Sequence, residues 1–310
     1  MLDLEIEVAP DAGLGNRLFV MAMGIACAAE RPDLAVGFVG GHEVPSFHSN
    51  DAYADLVAMC TTEGAPAPAP AGACACAPEP AHALHADDEG PGTYDAAPQR
   101  MVARASRGSG RGSLRLRGRF QSPRYFQGYA DAVERTFVGW MEARAAAEVD
   151  AWCRERRVDP AEAFFVHVRL GDFVGDHRCL FGDRAERFLS ASLDDWTSTA
   201  VGRVGSSTVA VVLSNEPDRV AASHPCVQAV LGGAGVRTVS VGPELGEVGS
   251  LLLMSRCALG GVVPASTFSW WAAWLLLRRH RAARVYTPDP WPSSRGGCWC
   301  DLQFEPVSFE

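Results

Sequence analysis

The sequence predicts an α/β protein of two doubly wound domains facing a central cleft, and three observations carry that expectation. Apolar, β-branched runs alternate with helical stretches in both halves, as they do in parallel strands covered by helices on both faces. The 310 residues exceed one domain of common size. Polar or glycine-containing segments recur just after the expected strands, where open α/β sheets bind ligands.

The first strand is expected at Leu4–Val8, where apolar and acidic side chains alternate. Gly13-Leu14-Gly15-Asn16-Arg17 then forms a strand-to-helix turn, followed by a helix over Leu18–Glu30. Arg31-Pro32-Asp33 breaks that helix, and a strand at Leu34–Val39 completes a βαβ opening. From Thr61 to Gly112 the chain reads as a surface excursion. Ala65–Pro70 alternates Ala with Pro, and Arg107–Gly112 is basic and glycine-rich, so neither builds a core. A helix is expected over Tyr125–Arg157, with Val133, Phe137, Trp140, Met141 and Ala145 at three- and four-residue spacing. It connects an expected first domain, 1–157, to a second, 158–310. In the second domain strands are expected at Ala163–Val168, Thr208–Leu213, Val236–Val241, Ala258–Val263 and Arg284–Tyr286. Helices at Ala185–Ser192, Glu247–Ser255 and Phe268–His280 separate them.

Composition excludes several function classes. A formal net charge of -9 argues against a nucleic-acid partner, since such binders usually carry a basic face. No apolar run reaches the roughly 18 to 20 residues of a membrane span, and the acidic start lacks the basic region of a secretory signal. A cytoplasmic protein is the expectation. Ten cysteines follow no zinc-ligand spacing, since Cys74/Cys76 and Cys298/Cys300 are each split by one residue, and free or buried thiols are expected.

Four segments could carry chemistry. The glycines of Gly13–Arg17 let backbone approach a ligand and Asn16 offers an amide, although a tight turn alone would use the same residues. His167-Val168-Arg169-Leu170-Gly171-Asp172 closes a strand, and alternation puts His167, Arg169 and Gly171 on one side. The planar fork of Arg169 suits a diphosphate; an ion pair with Asp172 is the competing use. Leu213-Ser214-Asn215-Glu216 ends another strand, as ligand contacts or as turn formers. Ala265-Ser266-Thr267-Phe268-Ser269-Trp270-Trp271 hands a strand over to a helix. Its hydroxyls can cap that helix, and the free N–H groups form an anion site. A capped core helix burying an aromatic ridge is the plainer reading.

In order along the chain, these segments resemble the α1,2-fucosyltransferase family and its wider relatives. Gly13–Phe19 looks like the family's G-L-G-N-Q-L/M-F, and Gly118–Phe126 is similar to G-Y-F-Q-S-x-K-Y-F. His167–Asp172 resembles H-x-R-R-G-D, and Val211–Glu216 resembles the segment with S-D-D. Leu251–Trp274 looks like L-x-L-M-S-x-C followed by N-S-[ST]-F-S-W-W-x-A-W. The resemblance implies a GT-B architecture of two Rossmann-like domains, the acceptor mainly on the first and the GDP-sugar mainly on the second. It implies an inverting transfer of fucose from GDP-fucose to a hydroxyl of a glycan acceptor, α1,2 to a galactose-like residue, without a metal or other cofactor. The absence of a D-x-D triplet agrees with metal independence.

Carried over residue by residue, the resemblance implies Arg169 as the stabiliser of the leaving diphosphate and Asp172 as a candidate base. It implies donor binding by Gly15, Asn16, His167, Arg169, Ser214, Asn215, Ser266, Thr267, Phe268 and Ser269, with Asn16 reaching from the first domain. Departures accompany the match. Leu170 stands where the family has its second Arg, and Ala265 replaces its Asn. Ser250 replaces an acidic residue, Asn215-Glu216 replaces Asp-Asp, and Arg17 replaces Gln. Two alternatives therefore stand beside the fucosyl reading: another nucleotide-sugar donor on the same fold, and a degenerate glycan- or nucleotide-binding protein.

Overall fold

A computed structural model describes residues 2–9, 12–40, 50–61, 96–105, 113–169, 178–200, 207–214, 227–289 and 305–308. They form two compact units, the first ending at Trp140 and the second beginning at Met141, within one long helix. Both units are built on parallel sheets with helices, so the chain is α/β as its apolar patterning predicts.

In the first unit, β1 (Leu2–Val8) lies between β2 (Leu34–Gly40) and β3 (Ser113–Arg117), parallel to both. Alternation sorts the side chains of β1: Leu4, Ile6 and Val8 are buried, while Glu5 and Glu7 stand in register with Arg115 and Arg117 of β3. Arg115 Nη2 lies 2.6 Å from Glu5 Oε2 and Arg117 Nε lies 3.5 Å from Glu7 Oε1. Helix α1 (Leu14–Glu30) covers this sheet and buries nearly every residue from Leu14 to Cys27. A Cβ on its Gly24 would meet the Phe38 ring at 2.4 Å, which is why helix and strand can approach so closely there.

Several expectations for this half are corrected. Helix α1 starts four residues before Leu18, with Gly13 as N-cap and the Asn16 and Arg17 amides both donating to the Gly13 carbonyl. Gly15 and Asn16 therefore occupy the first helical turn rather than a preceding loop. Nothing in Leu14–Arg17 opposes a helix, and first-turn N–H groups need no intrahelical partner. Helix α2 (Asn50–Cys60) was not expected, nor was α3 (Ala97–Ala105), which lies inside the presumed excursion. Val102 of α3 is buried, and Gln99 Nε2 donates to the Tyr125 carbonyl at 3.0 Å. Of the 61–112 stretch, only Thr61 and 96–105 are among the described residues. The expected helix from Tyr125 begins instead as two 3-10 turns, Pro123–Tyr125 and Gln127–Tyr129, before α4 (Ala130–Arg156). Pro123 sits at the start of the first turn, where its missing N–H costs nothing.

The second unit is a six-stranded parallel sheet of β4 (Ala163–Val168), β5 (Val209–Ser214), β6 (Arg237–Ser240), β7 (Gly260–Val262), β8 (Arg284–Asp289) and β9 (Glu305–Ser308). Its order is β6-β5-β4-β7-β8-β9. Strand β7 is shorter than the expected Ala258–Val263, because 258–259 form a turn and Gly260 enters with a φ of +116°. Helices α5 (Arg178–Ala200), α6 (Gly246–Arg256) and α7 (Thr267–Arg279) lie between strands. Phe164, buried on β4, stacks on Trp196 of α5 with centroids 4.2 Å apart. The chain enters the sheet at β4, steps outward through β5 and β6, then returns to the other side of β4 for β7, β8 and β9. The β4/β7 boundary is thus a topological switch point, where open α/β sheets bind ligands. Among the described residues no helix is long and apolar enough to cross a membrane.

Candidate nucleotide site on the second unit

His167 is the penultimate residue of β4, in register with Leu213 of β5. It is only 4% exposed, and its Nδ1 is buried without a hydrogen-bond partner among the described residues. Burial, reinforced by the nearby positive charge of Arg169, lowers the imidazole from the usual 6.5 to about 3. The ring is therefore neutral at physiological pH and offers one N–H and one lone pair rather than a charge. Its plane meets Phe268 edge-on, at 5.9 Å between centroids. Phe268 belongs to the first turn of α7, so this contact joins the end of β4 to the start of the helix that follows β7.

Arg169 comes directly after β4 and is half-buried. Ser214 closes β5 in register with Val168. Ser266 is the N-cap of α7, 6% exposed, and its hydroxyl makes no capping hydrogen bond. The first-turn N–H groups of this 13-residue helix are thus not capped by the Ser266 side chain, and the positive end of the helix dipole lies beside Phe268 and His167. Thr267 is half-buried at the first helical position. Ser269 points elsewhere: it is fully buried, and its Oγ donates to the Ser266 carbonyl at 3.4 Å, bracing the turn. The tryptophans are core, with Trp270 against Trp271 at 5.0 Å and Trp271 against Trp274 at 5.4 Å. They anchor the helix that presents Ser266 and Thr267.

The structure thus brings His167 and Phe268 into contact and sets Arg169, Ser214, Ser266 and Thr267 at the carboxyl edge of three neighbouring strands. Together they provide a cationic fork, a neutral imidazole, hydroxyls and an uncapped helix start. That donor set matches the oxygens of a diphosphate. Leu170, Asp172 and Asn215 lie outside the described residues.

Gly15 and Asn16 belong to the first unit. Asn16 is half-buried, and its Oδ1 accepts a 2.5 Å hydrogen bond from Gln121 Nε2. Gln121 is 3% exposed. Arg17, 2% exposed, donates from Nε to the Ala12 carbonyl at 2.6 Å and lies 4.0 Å from the Tyr53 ring centroid. In the sequence Gln121 belongs to the Gly118–Phe126 motif without an assigned role, and Tyr53 belongs to no motif. Neither partnership had a local signal, because each joins distant segments.

The described cysteines Cys27, Cys60, Cys153 and Cys257 are free and buried. Burial pushes the thiols of Cys27 and Cys60 up to about 12 and raises those of Cys153 and Cys257, so all four are inert, protonated core groups. Among the described residues no group of three or more His, Cys, Asp or Glu is placed to hold a metal ion.

No protein-family model matches the chain, and no curated protein matches it. Among solved structures, a glycosyl transferase of family 9 from Veillonella parvula is 8% identical, covering 99% of this chain and 86% of its own, with a TM-score of 0.45. POFUT1 in its apo form is 13% identical, with 92% and 97% covered and a TM-score of 0.41. The E. coli heptosyltransferase WaaC with ADP is 11% identical, with 100% and 94% covered and a TM-score of 0.40.

Proposed function

We propose that this protein is an inverting, metal-independent glycosyltransferase that moves fucose from GDP-fucose to a hydroxyl of a glycan acceptor, α1,2 to a galactose-like residue. One observation carries the nucleotide half of this reading. The switch point of the six-stranded sheet is flanked by Arg169 on one side and by the uncapped start of α7 on the other, with the unpartnered Nδ1 of buried His167 beside them. The fucosyl half rests on the ordered motif resemblance.

The chemistry follows from where charge develops. As the bond from the sugar's anomeric carbon to the diphosphate breaks, negative charge grows on the phosphate oxygens. In this reading Arg169 takes two of them in its planar fork, while the Ser266 and Thr267 hydroxyls and the α7 N–H groups take others. His167 contributes a hydrogen bond without charge. Asp172, the residue proposed as base, accepts the proton of the acceptor hydroxyl as that oxygen attacks from the opposite face. Leu170 and Ala265 remove a cation and an amide that the family supplies, which leaves Arg169 and the helix start with a larger share of the charge.

A thermal-shift series with GDP, GDP-fucose, GDP-mannose, UDP and UDP-sugars, with and without EDTA, tests this. A ligand at 100 times its dissociation constant stabilises the folded state by about 2.7 kcal/mol, a readable rise in melting temperature. Stabilisation by GDP and GDP-fucose, unchanged by EDTA, is the expected result. Preference for UDP or for another GDP-sugar would replace the donor, and silence toward every nucleotide would leave a non-catalytic binding protein.

A further inference from the structure

The first unit has its own switch point. Its strand order β2-β1-β3 means that the chain leaves β1 to one side and returns on the other. The carboxyl ends of β1 and β3 border that reversal, which makes it a place for a ligand. Gly13–Asn16 follows β1, and Phe120-Gln121-Ser122 follows β3. The second segment is held in an unusual shape. Phe120 is fully buried at a φ of +46°, and the Ser122 amide donates to the Phe120 carbonyl at 2.8 Å. Non-glycine residues persist in that region only where their surroundings impose it. What the shape achieves is to set Gln121 Nε2 against Asn16 Oδ1.

We propose that Gln121 is the positioning residue for Asn16: by donating to Oδ1 it fixes the carboxamide so that Asn16 presents Nδ2 to a ligand, as a hydrogen-bond donor to an oxygen. A carboxamide carries an acceptor end and a donor end, and an unrestrained one can present either. The acceptor end is held here by a buried donor, Gln121 Nε2, while the residue itself stays half-exposed. The first helical turn is steadied from its other side by Arg17, whose Nε donates to the Ala12 carbonyl. The ligand oxygen belongs either to a nucleotide phosphate or to a sugar hydroxyl. This inference rests on the glycosyltransferase reading, which supplies both kinds of oxygen.

The test uses the full chain with N16A, Q121L, Q121E and the N16A/Q121L double variant. GDP affinity is measured by calorimetry and fucosyl transfer from GDP-fucose to lactose by turnover; melting temperatures certify folding. Q121E keeps the size of the side chain but presents an acceptor, so it draws Nδ2 inward and turns Oδ1 toward the ligand. N16A, Q121L and Q121E are each expected to lose about tenfold in GDP affinity if the oxygen is a phosphate's. If it is a hydroxyl's, the same tenfold appears in the KM for lactose with GDP affinity unchanged. In either arm the double variant should be no worse than N16A, because Gln121 acts only through Asn16. Wild-type behaviour of folded Q121L and Q121E, or a double variant showing the product of two independent losses, would overturn the inference. A wild-type protein that binds no nucleotide and transfers nothing sinks the glycosyltransferase reading itself, and this inference with it.

Discussion

Arg169 and His167 sit two residues apart at one strand end yet differ in electrostatic character, and each difference can be measured. Arg169 is a charge at the surface of the sheet edge. Replacing it with Ala should cost on the order of 10²–10³ in turnover, the usual loss of one preorganised donor, in a variant that still folds. Lys at the same position should recover little, since a point charge does not reproduce the bidentate fork. His167 is a buried neutral group whose folded-state value, about 3, lies below the ordinary 6.5. As pH falls below about 6.5 the unfolded chain takes up a proton that the folded chain refuses until about 3, so stability present at neutral pH is lost across that window. A His167→Gln variant should therefore lose less melting temperature than wild type between pH 6.5 and 4.5; parallel curves would contradict the burial argument. The places of both were readable from the sequence because His167 belongs to an apolar strand with clear bounds and Arg169 directly follows it. The Asn16–Gln121 pair was not, since its members stand 105 residues apart and meet only through the fold. Nor was the inward use of the Ser269 hydroxyl, which hydroxyl content alone cannot distinguish from an outward one.

At the level of elements, legibility followed burial. Strand β4 matches its expected bounds because a strand covered on both faces reads as a near-continuous apolar run, and Phe164, Phe165 and Val166 are all fully buried. Strand β3 was missed because Ser-Leu-Arg-Leu-Arg alternates like a solvated edge. Its signal is relational: Arg115 and Arg117 face Glu5 and Glu7 in register, visible only when two segments 110 residues apart are aligned. Strand β7 carries a further element-scale prediction. A Cβ on Gly261 would sit 2.3 Å from the Phe165 ring, and one on Gly260, already at a φ of +116°, would sit 1.7 Å from the Arg284 carbonyl oxygen. Gly261→Ala should destabilise by about 1–3 kcal/mol through overpacking. Gly260→Ala should cost more, because backbone cannot step aside as a ring can. In a Phe165→Ala background Gly261→Ala should become neutral or favourable in urea denaturation. An undiminished penalty there would show that ring and glycine are not in contact.

On the scale of the whole chain, α4 decides where one unit ends and the other starts. The sequence places the change after the helix, at 157/158, whereas the compact units meet within it, at Trp140/Met141. The reason lies in the side chains of its second half. Val149 approaches α6 at Gly249, where an added Cβ would lie 3.7 Å from the Val149 side chain. Trp152 Nε1 donates to Glu244 at 2.9 Å, and Arg256 of α6 binds both Glu142 and Asp150, the latter at 2.7 Å. Those ion pairs are partly exposed and individually modest, but the buried Val149, Trp152 and Cys153 beneath them belong to the core of the second unit. Two fragments separate the boundaries. One comprising 141–310 should unfold cooperatively, whereas one comprising 158–310 should bind a hydrophobic dye and show no sharp transition, having lost the helix that covers α6. Every residue proposed to hold the nucleotide diphosphate on the second unit lies beyond Met141. The longer fragment should therefore keep a melting rise with GDP while transferring no sugar. If it folds but ignores GDP that stabilises the full chain, the diphosphate depends on the first unit, and the switch point beside His167 is not sufficient for binding.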